Sequence, residues 1–272
     1  MNVTVPAWIK EVGNEGVFYG CKNLESITFE AVQIETDGFG KNYFYGCSKL
    51  KGFTIPTGSY MTFMNSHVFA ECTALEKVTI YLDYATTDTG NYTFLNCTNL
   101  KDVQIFKVEE FAYDEAGNKI GYAKVSPGYF NYIYTAAFEG CTSLKRIPMS
   151  PNGLNFSGIA FANSGIEVLV FENLKRLNGS YNGSGAVFTG MTNLKEIWIS
   201  HGTSGVTIND DAFTNLANDV NVYFYNYTYE EVVAACGGKD GWFTNADKKA
   251  HFYFKDTMPA DVEWPEEIKP AT

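Results

Sequence analysis

Residues 69–80 read Phe69-Ala-Glu-Cys72-Thr-Ala-Leu75-Glu-Lys-Val78-Thr-Ile80, and the same frame returns along most of the 272-residue chain. The frame is Phe-x-x-Cys-x-x-Leu-x-x-Ile-x-Ile. Copies that keep the cysteine begin at Phe18, Phe44, Phe94 and Phe138, and copies that lack it begin at Phe161, Phe188 and Phe213. Successive Phe residues lie 26, 25, 25, 44, 23, 27 and 25 residues apart, so only one step contains an insertion.

A period near 25 residues predicts a solenoid, because a single coil cannot bury its own apolar face and must stack on its neighbours. The Leu-x-x-Ile-x-Ile segment alternates strictly, which predicts a short strand whose apolar residues point into the coil. Stacking then places these strands in a parallel sheet. The recurrent Phe and Cys are expected to fill the coil from its convex side.

These residues resemble the BspA-type leucine-rich repeats of bacterial surface proteins. Val3-Thr-Val5-Pro6-Ala-Trp-Ile9-Lys-Glu-Val12-Gly13, followed by Phe18 and Cys21, matches that pattern almost position for position. The resemblance covers about residues 3–224. It implies a leucine-rich-repeat solenoid of the α/β or mainly β class, with about eight stacked coils and a concave parallel sheet. It also implies a secreted or surface-attached protein that takes part in adhesion or other interactions.

The repeat and its breaks predict the organisation of the chain. We expect the solenoid over residues 1–225, with a β-hairpin inserted at about 106–134. The sequence Asp114-Glu-Ala-Gly117-Asn118-Lys119 predicts the turn of this hairpin, because Gly and Asn are typical turn residues. A calcium-binding loop is the alternative, but its acidic ligands would need a different spacing. The hairpin is expected to extend the Val103–Ile105 strand and to project from the solenoid.

A C-terminal cap is expected over residues 226–257. Thr228 and Glu231 form a capping box that predicts a helix at 229–236, and residues 250–254 should supply apolar cover. Residues 258–272 are predicted to be an extended tail. Met1 begins inside a repeat without a polar capping unit, so we expect that it is not the native start and that a signal sequence and N-terminal segment precede it.

Composition excludes several classes of protein. The chain is 45% hydrophobic and 16% aromatic, unlike a disordered chain. Its formal net charge of −11 opposes binding to nucleic acid or to anionic lipid. No apolar run reaches the ~18 residues of a membrane span, so we expect no membrane insertion of this chain. A monomer is expected.

The sequence lacks the signatures of catalysis. The three histidines, His67, His201 and His251, lie in different coils or in the cap, and no nucleophile, phosphate-binding or metal motif occurs. We therefore predict no enzymatic activity, no cofactor and no metal site. The repeated cysteines are interpreted as a structural row of reduced, buried thiols: Cys21, Cys47, Cys72, Cys97 and Cys141.

Two columns of residues should face outward from the sheet. The residue after each framework Leu alternates in charge, which predicts a ladder of salt bridges. The residue between the last two framework positions is polar in the first half and apolar or aromatic later. We predict a binding site on the C-terminal half of the concave face, with Trp198 as its anchor if it is uncovered. The other members are Pro148, Val170 and Tyr223; the alternative is that the cap or hairpin covers this patch.

Together these features predict an extracytoplasmic, adhesin-like module that binds a protein or glycan on a host or neighbouring cell. Its expected location is extracellular or at the cell surface. One alternative is a polysaccharide-degrading enzyme of the parallel β-helix type, which would need catalytic groups converging on adjacent coils. Another is a structural spacer that displays a different domain.

Overall fold

The protein is a parallel β-solenoid of about eight coils. The computed structural model describes residues 1–13, 15–34, 39–58, 64–149, 155–156, 159–177, 187–200 and 205–263. In chain order its elements are β1 (Asn2–Val5), β2 (Ser26–Phe29), β3 (Gln33–Ile34), β4 (Gly52–Ile55), β5 (Thr57–Gly58), β6 (Lys77–Leu82), β7 (Thr86–Asp88), β8 (Asp102–Tyr113), β9 (Lys119–Pro127), β10 (Tyr129–Ile133), β11 (Asn155–Phe156), β12 (Val168–Phe171), β13 (Arg176–Leu177), β14 (Glu196–Ile199), β15 (Thr207–Ile208), β16 (Val220–Phe224), α1 (Tyr229–Ala235), α2 (Gly241–Thr244) and β17 (Ala250–Tyr253).

The concave face is built from the strand that ends each framework repeat. These strands pair in parallel as β1-β2, as β4-β6-β8 and as β12-β14-β16-β17. Alternation buries one side of each strand: Ile80 lies in register between Ile55 and Ile105, and all three are buried. The remaining short strands form a second set on the next leg of the coil, as β3-β5, β7-β10-β11 and β13-β15.

The convex side is a stack of tight turns around the framework Phe residues. Neighbouring rings stack with centroids 5.4 Å apart for Phe44 and Phe69, and 5.5 Å apart for Phe69 and Phe94. The residue before each framework Cys position has a positive φ, which Gly and Asn tolerate best. These residues are Gly20, Gly46, Glu71, Asn96, Gly140, Asn163, Gly190 and Asn215.

The insertion is an antiparallel hairpin that begins as a continuation of a concave strand. Strand β8 runs without interruption from the sheet, and β9 returns along it. The Asp114 carboxylate accepts hydrogen bonds from the backbone N–H groups of Ala116, at 2.9 Å, and Asn118, at 2.8 Å, while Gly117 has φ +82°. These contacts make the segment a turn closed by an aspartate.

The expectation that the hairpin projects from the solenoid is wrong. The Tyr122 hydroxyl donates to the Val32 carbonyl at 2.9 Å and accepts from the Thr57 N–H at 3.1 Å. The Tyr122 ring also stacks on Tyr81, with centroids 4.2 Å apart. The hairpin therefore lies back against earlier coils, because burying these rings is more favourable than exposing them.

The chain after β16 covers the end of the last coil. Helix α1 has the predicted capping box: the Thr228 hydroxyl accepts from the Glu231 N–H at 3.3 Å, and the Glu231 carboxylate accepts from the Thr228 N–H at 2.8 Å. The helix ends at Ala235, one residue earlier than predicted, and Gly237 follows with φ +70°. No helix among the described residues is long and apolar enough to cross a membrane.

Strand β17 continues the concave sheet, whereas the sequence predicted only apolar cover for this segment. It pairs in parallel with β16, and Phe252 lies in register with Val222. The buried Trp242 packs near Phe224 and Phe252, with ring centroids at 5.1 and 5.7 Å. Residues 264–272 of the predicted tail, and His201, lie outside the described residues.

Candidate binding face

The last concave strands align one outward position from each coil into a single row. Val170 lies in register with Trp198, Trp198 with Tyr223, and Tyr223 with Tyr253. The ring centroids of Trp198 and Tyr223 are 4.2 Å apart, and those of Tyr223 and Tyr253 are 5.1 Å apart. We call these four residues the outward row. Its three aromatic members stack because neighbouring parallel strands lie about 4.8 Å apart, within the roughly 4.5–7 Å between ring centroids that aromatic pairs prefer.

The middle of the outward row is almost closed to solvent. Trp198 is 4% exposed and Tyr223 is 6% exposed, whereas Val170 and Tyr253 are only partly buried. The Trp198 indole N–H donates to the Glu196 carboxylate at 2.9 Å. Burial, followed by the charge of Glu196, raises the pKa of the Tyr223 phenol. Trp198 is therefore a covered member of the row and does not present an open anchor.

Pro148 does not join the other predicted site residues. It follows Ile147 in a segment without strand structure, and its carbonyl accepts from the Phe130 N–H at 2.9 Å. Proline has no N–H to donate to a sheet, which explains why the concave pairing is interrupted at this coil. The structure brings Val170, Trp198 and Tyr223 together and leaves Pro148 outside their sheet.

Tyr253 is a member of the outward row that the sequence analysis missed. It belongs to β17, which lacks the Phe-x-x-Cys frame, so the repeat predicts only apolar cover for this segment. The available signal was the alternation of residues 250–254, which is typical of a strand. In the N-terminal half the corresponding positions are polar: Thr54, Thr79 and Gln104 lie in register.

The framework cysteines form a row of free thiols on the convex side, which we call the thiol row: Cys21, Cys47, Cys72, Cys97 and Cys141. Each thiol after the first donates to the carbonyl of the framework Phe in the preceding coil. The sulfur–oxygen distances are 3.1 Å for Cys47 to Phe18, 3.1 Å for Cys72 to Phe44, 3.0 Å for Cys97 to Phe69 and 3.1 Å for Cys141 to Phe94.

Burial keeps these thiols protonated. It raises the pKa of Cys47 to about 12, and it also raises the pKa values of Cys72, Cys97 and Cys141. A thiolate is the reactive form of cysteine, so a buried and protonated thiol is a poor nucleophile and a poor metal ligand. The row therefore contributes packing and hydrogen bonds between coils.

The charged column forms ion pairs on both sides of the insertion. Glu76 pairs with Lys101 at 2.9 Å, and Glu167 lies between Lys145, at 3.0 Å, and Lys195, at 2.7 Å. Hydrogen bonds from these two lysines lower the pKa of Glu167 to about 2. The pairs are exposed, so they contribute mainly to the register of neighbouring coils.

The described residues contain no group of three or more His, Cys, Asp and Glu side chains that could hold a metal ion. The His67 ring stacks on Tyr92 with centroids 4.8 Å apart, and His251 contacts the Asp219 carboxylate at 3.2 Å. Each of these two histidines therefore contacts a different partner, and the two do not share one site.

Comparison with known proteins identifies the repeat. A family model described as the BspA type leucine-rich repeat region matches in six copies, over residues 1–119, 91–186 and 123–232. The comparison with curated proteins finds no match.

Several solved bacterial structures are similar to this chain. A leucine-rich repeat protein of T. pallidum is 20% identical, with 60% of this chain and 75% of that chain covered and a TM-score of 0.36. A leucine-rich cell surface protein of Faecalibacterium prausnitzii A2-165 is 18% identical, with coverages of 97% and 83% and a TM-score of 0.31. A leucine-rich repeat protein of Bacteroides ovatus ATCC 8483 is 13% identical, with coverages of 93% and 92% and a TM-score of 0.33.

The stacked coils, the concave parallel sheet and the repeated Phe-x-x-Cys frame define a leucine-rich-repeat solenoid. Because the family model matches most of the chain, the protein belongs to the BspA-type leucine-rich repeat family. Membership in this family of bacterial surface proteins indicates a binding or structural role.

Proposed function

We propose that the protein is an extracytoplasmic binding module that recognises a protein or glycan through the C-terminal half of its concave face. The observation that carries this proposal is the outward row, in which aromatic side chains are stacked on the side of the sheet that the coil core does not use. A rigid sheet that holds large rings in fixed positions offers binding surface at little cost in conformational entropy.

The two ends of the row would contact the partner, and the covered residues would support them. Val170 and Tyr253 are partly exposed, and they flank the stacked pair of Trp198 and Tyr223. Because Tyr253 stacks on Tyr223, its ring is held in place before a partner arrives. Preorganised aromatic side chains at the centre of an interface are typical binding hot spots.

The partner would be a surface protein or glycan of a host or of a neighbouring cell. An extracellular or cell-surface location agrees with the bacterial surface proteins of this family and with the leucine-rich cell surface protein of F. prausnitzii. The net charge of −11 disfavours polyanionic partners such as nucleic acid. We propose no catalytic role.

A binding array of glycans and extracellular matrix proteins tests this function. For any partner found, Tyr253→Ala should weaken binding by roughly tenfold or more while leaving the fold intact, since its ring is partly exposed. Trp8→Ala is the matched control, because Trp8 is 77% exposed on the first coil and lies far from the row. If Trp8→Ala weakens binding as much as Tyr253→Ala, the concave site is wrong.

A structural spacer is the second candidate, and the burial of Trp198 favours it. A ring that is 4% exposed packs adjacent coils together and offers a partner almost no surface. The spacer predicts that the array finds no partner for the isolated module and that Tyr253→Ala changes only stability. Binding that depends on Tyr253 would exclude a purely structural role.

A further inference from the structure

A cavity of about 350 Å³ opens on the side of the solenoid, away from the outward row. It lies in the leg of the coil that precedes the framework Phe, and three consecutive coils contribute to its walls. The described residues that line it are Met64, Asn65, Ser66, Asp88, Thr89, Gly90, Asn91 and Tyr134. Its volume is in the range of small-molecule sites.

Two of the coils that line the cavity approach each other closely at Gly90. Asn65, Gly90 and Tyr134 each stand four residues before a framework Phe, so Gly90 lies between the other two in the stack. A Cβ atom at Gly90 would come within 2.4 Å of the Asn65 backbone. Only glycine permits this approach, because the backbone of Met64 and Asn65 occupies the direction that a side chain would take.

Hydrogen bonds between coils hold the walls in place. The Met64 N–H donates to the Asp88 carbonyl at 2.9 Å, and the Thr89 N–H donates to the Tyr132 carbonyl at 3.0 Å. The backbone N–H of Tyr134 donates to the Thr89 hydroxyl at 2.9 Å. The cavity is therefore formed before any ligand binds, which lowers the entropic cost of binding.

The polar groups of the cavity suit a ligand that is rich in hydroxyl groups. Asp88 has a partly buried carboxylate, and burial raises its pKa. The carboxylate accepts from the Asn131 amide at the long distance of 3.4 Å and from the Tyr132 backbone N–H. Within the described part of the chain, the Ser66 and Asn91 side chains make no hydrogen bond. The Asp88 carboxylate accepts hydrogen bonds, and the Ser66 hydroxyl and Asn91 amide can both donate and accept, as neighbouring hydroxyls require.

An apolar surface completes the cavity. The Tyr134 ring is 39% exposed and borders the space beside Gly90. Aromatic rings pack well against the C–H faces of ligands, and the polar groups on the other walls fix the orientation. The described residues of the lining include no Lys, Arg or His, so they offer no cation for a phosphate, a sulfate or a carboxylate.

We propose that this cavity binds a neutral pyranose unit of a glycan. The sugar hydroxyls would donate to Asp88 and exchange hydrogen bonds with Asn91 and Ser66, and one C–H face of the ring would rest on Tyr134. This site is separate from the concave face, so a negative result for one site does not contradict the proposal for the other.

Titration of the whole chain with methyl glycosides tests the proposal. The probes are the methyl glycosides of glucose, galactose, mannose and N-acetylglucosamine, observed by saturation-transfer NMR. At least one should give saturable transfer that is strongest on one face of its ring. Asp88→Asn and Tyr134→Ala should each weaken it about tenfold or more, which corresponds to ~1.4 kcal/mol.

Matched controls separate the cavity from other surfaces. Asp102→Asn removes a carboxylate from β8, and Tyr113→Ala removes an exposed ring at the tip of the hairpin; neither should change glycoside binding. Tyr253→Ala should also leave it unchanged, whatever its effect on the concave face. If Asp88→Asn fails to fold, Tyr134→Ala still tests the cavity. The Tyr134 ring is exposed, so its removal should leave the fold intact.

Three results would overturn the proposal. The first is the absence of saturable binding for every glycoside. The second is binding that persists in both cavity variants. The third is binding of methylammonium in place of the glycosides, with the same dependence on Asp88, which would make the cavity a site for amines.

Discussion

Replacing Cys72 by serine should destabilise the solenoid by about 1–3 kcal/mol, the cost of a buried polar group without a partner. The Cys72 thiol is fully buried and donates to the Phe44 carbonyl across 3.1 Å. A carbon–oxygen bond is shorter than a carbon–sulfur bond, so a serine oxygen at this position would lie farther from that carbonyl. An O–H···O hydrogen bond needs about 2.5–3.0 Å, so the hydroxyl would be left unsatisfied.

The chain already contains this substitution at one coil. Ser164 occupies the position of the framework Cys, and within the described residues its buried hydroxyl has no hydrogen-bond partner. Ser164→Cys should therefore raise stability, since the longer thiol could reach the carbonyl of Phe138 in the preceding coil. Cys72→Ser replaces a sulfur by an oxygen, and Ser164→Cys replaces an oxygen by a sulfur. The two variants should therefore change the free energy of unfolding with opposite signs.

Urea and thermal unfolding in reducing buffer, followed by circular dichroism, would measure both effects. A loss of 1–3 kcal/mol corresponds to a fall in Tm of about 2–4 °C for each kcal/mol in a chain of this size. Cys21→Ser is the matched control, because Cys21 is only partly buried and begins the thiol row. If Cys72→Ser shifts the midpoint no more than Cys21→Ser does, the hydrogen-bonded thiol row does not stabilise the fold.

Three further perturbations test other parts of the structure. Trp198→Ala should cost about 3–5 kcal/mol, as expected for a buried indole, and a loss in urea unfolding below ~0.5 kcal/mol would contradict its burial. Truncation after Tyr225 should expose Phe213 and Phe224 and cause aggregation, whereas a monomer in light scattering with unchanged melting would rule out a capping role for the C-terminal segment. The lowered pKa of Glu167 predicts that its ion pairs stabilise the fold above the ordinary glutamate pKa and that this contribution disappears as the pH falls toward 2. An NMR titration of the Glu167 carboxyl group with an ordinary midpoint would contradict this prediction.

The sequence by itself determined the solenoid, because its signals are local and repeated. The period near 25 residues and the strict alternation of the framework Ile residues depend only on residues within one coil, and stacking of identical coils follows from them. The capping box at Thr228 and the aspartate turn at Asp114 were predictable for the same reason, since their hydrogen bonds join residues two to four positions apart.

Only the tertiary structure decided which outward side chains are covered and where space remains. Tyr122 reaches Val32 across 90 residues, which turns the hairpin back onto the solenoid. The burial of Trp198 depends on stacking with Tyr223 in the next coil, and the cavity depends on the alignment of Gly90 with residues of two other coils. Such contacts join side chains from different coils, and the repeat pattern specifies only the residues that every coil shares.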